Sequence, residues 1–305
     1  MRALVLVNPN ASRAEAAMPW LAYWAAHDPR VSLMEVSSAK AMADAIEVHA
    51  DNADRIVLGG GDGTLSSMLP SLLPLGKPLA VLPLGTANDF ARTLSIPENL
   101  QHAAALTLGG REHRIDVGMV NGHPFLNVAS VGVASTVSEM QNEDLKKQWS
   151  VLSYGISFRE AIRRATPFHV HLKFDGDVTW RGMVYQVSVG NGRFHGGGLV
   201  VGENAAIDDG KLNVYAVRPG TALQLVACLA TLRLGLAGEL RTLKRGFAQD
   251  VVIATAHPRP INVDGDIRTE TPAHFSIHPR ALSVVIPERL PLLQRGLVNL
   301  QETGT

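Results

Sequence analysis

The sequence predicts an α/β domain built on a parallel sheet, followed by a β-rich domain that carries two helices. Three observations predict it. The chain has 305 residues, more than one hydrophobic core usually organises, which points to two domains. Strand and helix signals alternate up to about residue 110, the order that gives a parallel sheet covered by helices. Beyond about residue 112 strand patterns dominate.

Taken in order, Leu4 to Val7 is an apolar strand and Ala14 to Ala26 has helical composition. Val31 to Val36 alternates like a strand, and Met42, Ala45, Ile46 and His49 carry helical spacing through Ala41 to Ala50. Arg55 to Leu58 is a short strand that enters a run of glycines. Leu65 to Leu73 is a short helix that Pro70 and Pro74 limit or kink. Leu79 to Leu82 is a strand, and Asp89 to Leu94 is helical. In the second half, strands are expected over His113 to Val120, His123 to Val131, His169 to Phe174, Val178 to Val189, Lys211 to Val217, Asp250 to Ala254 and His274 to Ile286. The two helices are expected at about Gln148 to Arg164 and Thr221 to Leu240.

Composition narrows the function. The 28 basic and 28 acidic side chains cancel, which gives no support for a nucleic-acid surface. A single cysteine, Cys228, rules out an intramolecular disulfide and fits a reducing compartment. MRALVLVNPN is too short in its apolar part for a signal peptide. Gln224, Arg233 and Glu239 interrupt the longest apolar stretch, so it reads as a buried helix or one resting on a membrane surface rather than a span. The 11 histidines show no zincin spacing, and no G-x-S-x-G elbow is present.

Two motifs could carry chemistry. RIVLGGGDGTLSSML reads as strand, glycine loop and helix. Glycines permit positive φ and close backbone approach, and a helix N-terminus favours an anion. The loop is neither a Walker A motif nor a G-x-G-x-x-G fingerprint. It is a phosphate cradle or a tight turn with an aspartate cap, and Thr64 either caps the helix or bonds a phosphate. Asp62 repels phosphate unless a divalent cation lies between them. LPLGTANDFAR also follows a strand and opens a helix, with Thr86, Asn88 and Asp89 clustered at the strand end. An N-cap role for Asn88 or Asp89 is compatible with a site there. Two such loops on neighbouring parallel strands would face one crevice.

The succession of these motifs resembles the diacylglycerol kinase catalytic family, most closely its soluble bacterial lipid kinase branch. NPNAS, RIDVG, NGRFHGGG, AIDDGKLNV and INVDGDI occupy the family's other positions in order, so the resemblance spans nearly the whole chain. It implies an ATP-binding α/β domain over 1–125, a β-sandwich-like lipid-acceptor domain over 126–286, a tail over 287–305 that packs back on the first, and an active site in the cleft between them. It also implies ATP as co-substrate, Mg2+ and a lipid hydroxyl as acceptor. Carried over, Gly60, Gly61, Asp62, Gly63, Thr64, Leu65 and Ser66 would hold the nucleotide with Thr86, Asn88 and Ser37. Asp62, Asp89 and Asp116 would organise Mg2+ and its waters. Asp209, with the main-chain carbonyls of Ala206 and Lys211, would form a second cation site, where the residues alone suggest an Asp-Gly turn. The family has Asp-Gly-Glu where this chain has Asp264-Gly265-Asp266. Asp266 therefore stands in the place of the proton acceptor and is one methylene shorter, while Asp264 is the other candidate.

The expected protein is cytoplasmic and meets its lipid by transient peripheral contact with the membrane. No transmembrane segment and no nucleic-acid partner are expected, and a homodimer is admitted. The competing functions are a soluble-metabolite kinase of the NAD-kinase type, which shares the GGDGT loop, and a nucleotide-binding regulator without catalysis. The identity of the lipid is not legible in these residues.

Overall fold

The computed structural model describes residues 1–132, 166–192, 194–195, 199–200, 206–221, 224 and 242–288. The expected helix over 148–164 lies outside these residues, as do the helix over 221–240, Thr221 and Gln224 apart, and the tail from 289 onward.

The first unit runs β1 (Ala3–Val7), α1 (Ala14–His27), β2 (Val31–Glu35), α2 (Ala39–His49), β3 (Arg55–Gly60), α3 (Asp62–Leu72), β4 (Leu79–Pro83), α4 (Asp89–Thr93) and α5 (Leu100–Gly109). Its strands lie in the parallel order β2-β1-β3-β4. Every residue of β1, β3 and β4 is buried, as expected of central parallel strands covered on both faces. Edge strand β2 buries little. Helix α3 begins at Asp62, three residues before the expected start, and passes through Pro70 to Leu72 before a 3-10 turn over Leu73–Leu75. Sequence reading missed α5. Its start signal was present: Asn99 accepts the His102 N–H at 3.0 Å. Buried Arg55 closes its other end, donating to the carbonyls of Thr107 (2.8 Å) and Gly110 (3.2 Å).

The remaining strands are β5 (Arg111–Val120), β6 (His123–Phe125), β7 (Val128–Gly132), β8 (Phe168–Phe174), β9 (Val178–Val184), β10 (Gln186–Gly190), β11 (Phe194–His195), β12 (Leu199–Val200), β13 (Leu212–Val217), β14 (Leu243–Ala248), β15 (Asp250–Thr255), β16 (Pro260–Val263), β17 (Asp266–Glu270) and β18 (Ala273–Ile286). Two sheets result. One continues the parallel sheet through β18, β15, β8 and β9, with β5 also paired to β18. The other is β14-β13-β10-β7-β16-β17. Val170, Leu172, Val251, Ile253 and Phe275 of the first meet Ala129, Val187, Val189, Leu212, Val214 and Ile261 of the second in one apolar core. This is a sandwich packed on a parallel α/β layer.

Strand β18 serves both units. Ala273, Phe275 and Ile277 belong to the sandwich core, while Leu282 and Val284 to Ile286 belong to the α/β core. The register shifts between His278 and Leu282, and such a bulge lets one strand turn from one layer to another. The chain passes from the first sheet to the second at Leu126–Asn127, which splits the expected strand over His123 to Val131 into β6 and β7.

Candidate active site

The strand order defines the crevice. The chain leaves β1 for β2, then returns past β1 to β3, so the loops after β1 and β3 lead to opposite sides. Such a switch point is where open α/β sheets bind ligands. Polar side chains line it. Asn8 Nδ2 donates to Thr64 Oγ1 at 3.2 Å, Asn10 Nδ2 to the Ser37 carbonyl at 3.2 Å, and Thr86 Oγ1 to Ser12 Oγ at 3.2 Å. Ser37, Thr64 and Thr86 are thus gathered along one rim by the NPNAS turn. Thr64 is the third residue of α3, so it does not cap the helix.

Glycine is required here for space and not for backbone sign, since Gly59 to Gly63 and Gly85 all lie outside the positive-φ region. A Cβ on Gly85 would lie 2.4 Å from the Gly61 Cα, so the two loops touch backbone to backbone. A Cβ on Gly60 would lie 2.6 Å from the Thr64 side chain. A Cβ on Gly63 would meet nothing within 4 Å. No side chain caps α3. An uncapped N-terminus beside open space is the arrangement that receives a phosphate group.

Asp62 ties the loops together. Its carboxylate accepts the N–H groups of Asp89 (3.0 Å) and Phe90 (2.9 Å), which caps α4 from another helix, and the Asn127 amide at 3.3 Å. Asn88 stands at the N-cap position with φ 50° but does not cap. Its amide folds back on Gly85, accepting the N–H at 2.9 Å and donating to the carbonyl at 2.8 Å. The Asp89 side chain is buried and pairs with Arg92 at 3.3 Å.

The sandwich contributes the β16–β17 hairpin. Asp264 and Gly265 form its two-residue loop with φ 48° and 108°, the signature of a type I′ turn. Asp264 accepts the N–H groups of Leu126 (2.7 Å), Asn127 (3.0 Å) and Val128 (2.9 Å). Burial pushes its carboxyl up to about 6 despite these donors. Asp266 is different. Its side chain is 62% exposed and, among the described residues, pairs only with Arg268 at 2.7 Å.

Asp116 contacts a different loop. It is buried and turned toward the AIDDGKL loop, accepting the N–H groups of Gly210 (2.6 Å) and Arg280 (2.8 Å). Asp209 accepts the N–H groups of Ala206 (3.2 Å) and Lys211 (2.9 Å). Burial raises both carboxyls above the ordinary range. Among the described residues no three His, Cys, Asp or Glu side chains lie close enough to hold a metal by themselves.

Two asparagines outside the expected site connect these groups. Asn127 touches Asp62 and Asp264, and its carbonyl accepts the Asn191 N–H at 2.9 Å. Asn191 Nδ2 donates to the Asp116 carbonyl at 2.8 Å. Both are buried. Asn127 lies inside the stretch His123 to Val131 that reads as one strand, so no local pattern marked it.

An α/β crevice with an open helix N-terminus, tied to a carboxylate hairpin from a β-sandwich, is an arrangement suited to a two-domain phosphotransferase of the kinase class. The comparisons agree. Residues 2–120 match the diacylglycerol kinase catalytic domain, and residues 127–286 match the YegS C-terminal NAD kinase beta sandwich-like domain. A "Probable lipid kinase YegS-like" of Pseudomonas aeruginosa is 38% identical over 78% of each chain, and one of Klebsiella pneumoniae is 30% identical over 80% of this chain and 81% of its own. The solved structure of "a putative diacylglycerol kinase from Bacillus anthracis str. Sterne" superposes with TM-score 0.81 at 26% identity, covering 94% of this chain and 97% of that one. The chain belongs to the diacylglycerol kinase-like lipid kinase family.

Proposed function

We propose that this protein transfers the γ-phosphoryl group of ATP to a lipid hydroxyl, with Mg2+, at the membrane surface. The acceptor is diacylglycerol-like, phosphatidylglycerol or a sphingoid base. One observation carries the reading: Asn127 gives its N–H to Asp264 of the sandwich hairpin and its side-chain amide to Asp62 of α3, so the hairpin is tied to the glycine-loop helix. The Asp264 carboxylate of the sandwich is thereby linked to the first residue of the glycine-loop helix.

The residues fit the co-substrate. Gly60 to Ser66 and Thr86 offer amides and hydroxyls to phosphate oxygens, and Gly63 leaves the room. Asp62 and Asp89 would hold Mg2+, which takes one or two carboxylates and completes its shell with phosphates and water. Bound there, Mg2+ would neutralise phosphate charge. The proton acceptor follows from counting lone pairs. A carboxylate offers about four acceptor positions. Three N–H groups already engage the Asp264 carboxylate, whereas Asp266 is exposed and, among the described residues, pairs only with Arg268. Asp264 therefore anchors the hairpin, and Asp266 receives the hydroxyl proton.

The test is ADP formation by the purified protein, with ATP and Mg2+, against a panel of these lipids and against NAD. Turnover on a lipid and none on NAD supports the reading. Turnover on NAD alone makes the protein a metabolite kinase, and nucleotide binding without any turnover makes it a regulator.

A further inference from the structure

Asn127 joins the two halves of the site, and the mechanism above gives it no task. Its amide reaches Asp62, its N–H reaches Asp264, and its carbonyl receives Asn191. It sits where the chain passes from one sheet to the other, between β6 and β7. Asp62 accepts the Asp89 N–H on Oδ2 and, on Oδ1, both the Phe90 N–H and the Asn127 amide. Removing Asn127's amide removes the one donor that fixes Asp62 from the sandwich side among the described residues.

We propose that Asn127 is a positioning residue that sets the nucleotide loop in register with the acceptor-side hairpin, rotationally fixing Asp62 and holding Asp264 so that Asp266 points at the transferred group. This rests on the lipid-kinase reading of the site. The design is specific to an amide. Leucine has nearly the same shape and keeps both main-chain bonds, yet donates nothing to Asp62. Displacement of about 1 Å at a reacting centre is enough to cost ~10²-fold in rate.

The experiment compares Asn127→Leu with wild type in the full chain by three readouts. Amide exchange is followed at Asp89 and Phe90, which bond Asp62, and at Leu126 and Val128, which bond Asp264. Turnover is measured at saturating lipid, and MgATP affinity by equilibrium binding. The expected result is faster exchange at Asp89 and Phe90 alone, turnover down by about 10- to 100-fold, and MgATP affinity within about twofold. A general structural role would loosen all four amides together and lower the melting temperature with them. Unchanged exchange at Asp89 and Phe90, uniform loosening, or turnover within threefold of wild type each overturns the proposal. If Asn127→Leu does not fold, Asn127→Ser, which is smaller and still polar, is judged by the same criteria. If wild type turns over no lipid, the proposed function fails by itself, while the exchange pattern still decides whether Asn127 fixes Asp62.

Discussion

Asp62 shows how one side chain carries both a structural and a functional reading. As a cap it accepts two α4 N–H groups, and as a charge it faces the open end of its own helix. An asparagine there keeps one acceptor but turns an NH2 toward a donor. We expect Asp62→Asn to lose about 1–3 kcal/mol of stability and to abolish transfer even well below its melting temperature. Transfer at the wild-type rate by the folded variant contradicts the role given to Asp62. Asp264 supplies a pH dependence. A carboxyl held up to about 6 in the fold, against 3.8 ordinarily, favours the protonated form. Its contribution to stability is then complete below the lower value and is lost as pH rises through the higher one. Asp116 and Asp209, raised by burial, act in the same direction. Asp264→Asn removes one titration, so unfolding free energy should fall less between about pH 4 and 6.5, by up to ~3 kcal/mol. Urea unfolding at the two pH values measures this, and equal slopes for variant and wild type exclude it.

The glycine loop separates fold from function at the scale of an element. Gly85→Ala drives a Cβ into Gly61 and Asn88 and should cost about 1–3 kcal/mol. Gly63→Ala meets nothing and lies in the first turn of α3. It should stabilise the free protein by up to ~1 kcal/mol and weaken MgATP binding. Thermal melts and nucleotide titration check both, and unchanged affinity in Gly63→Ala places the phosphates elsewhere. These consequences show what was legible. Alternating strands and helices from Ala3 to Thr93 could be read because continuous apolar runs mark buried parallel strands. The hairpin strands β16 and β17 were missed because each is short and β17 is mostly exposed, so neither has a strong apolar period. The motifs located the crevice residues, but not the partners of Asp116, Asp209 or Asp62. Those depend on residues far apart in sequence, such as Asp116 with Arg280, and on Asn127, whose burial no local pattern reveals.

At the scale of the molecule, the two units share one sheet through β18 and meet at one site through Asn127 and Asp264. Among the described residues no helix is long and apolar enough to cross a membrane. With balanced charge, the protein should leave membranes on salt or alkaline washing, and fractionation that finds it wholly resistant to both contradicts transient contact. The central claim is that Asp266, on the sandwich hairpin, is the proton acceptor of a site whose phosphate-binding half lies on the α/β layer. The most direct measurement is kcat for Asp266→Asn and Asp264→Asn at saturating ATP and lipid, with the KM for ATP. The account predicts that Asp266→Asn lowers kcat by ~10²–10⁴-fold and leaves the KM for ATP within about twofold, while Asp266→Glu keeps substantial activity. A near-wild-type Asp266→Asn beside a folded but inactive Asp264→Asn would contradict it.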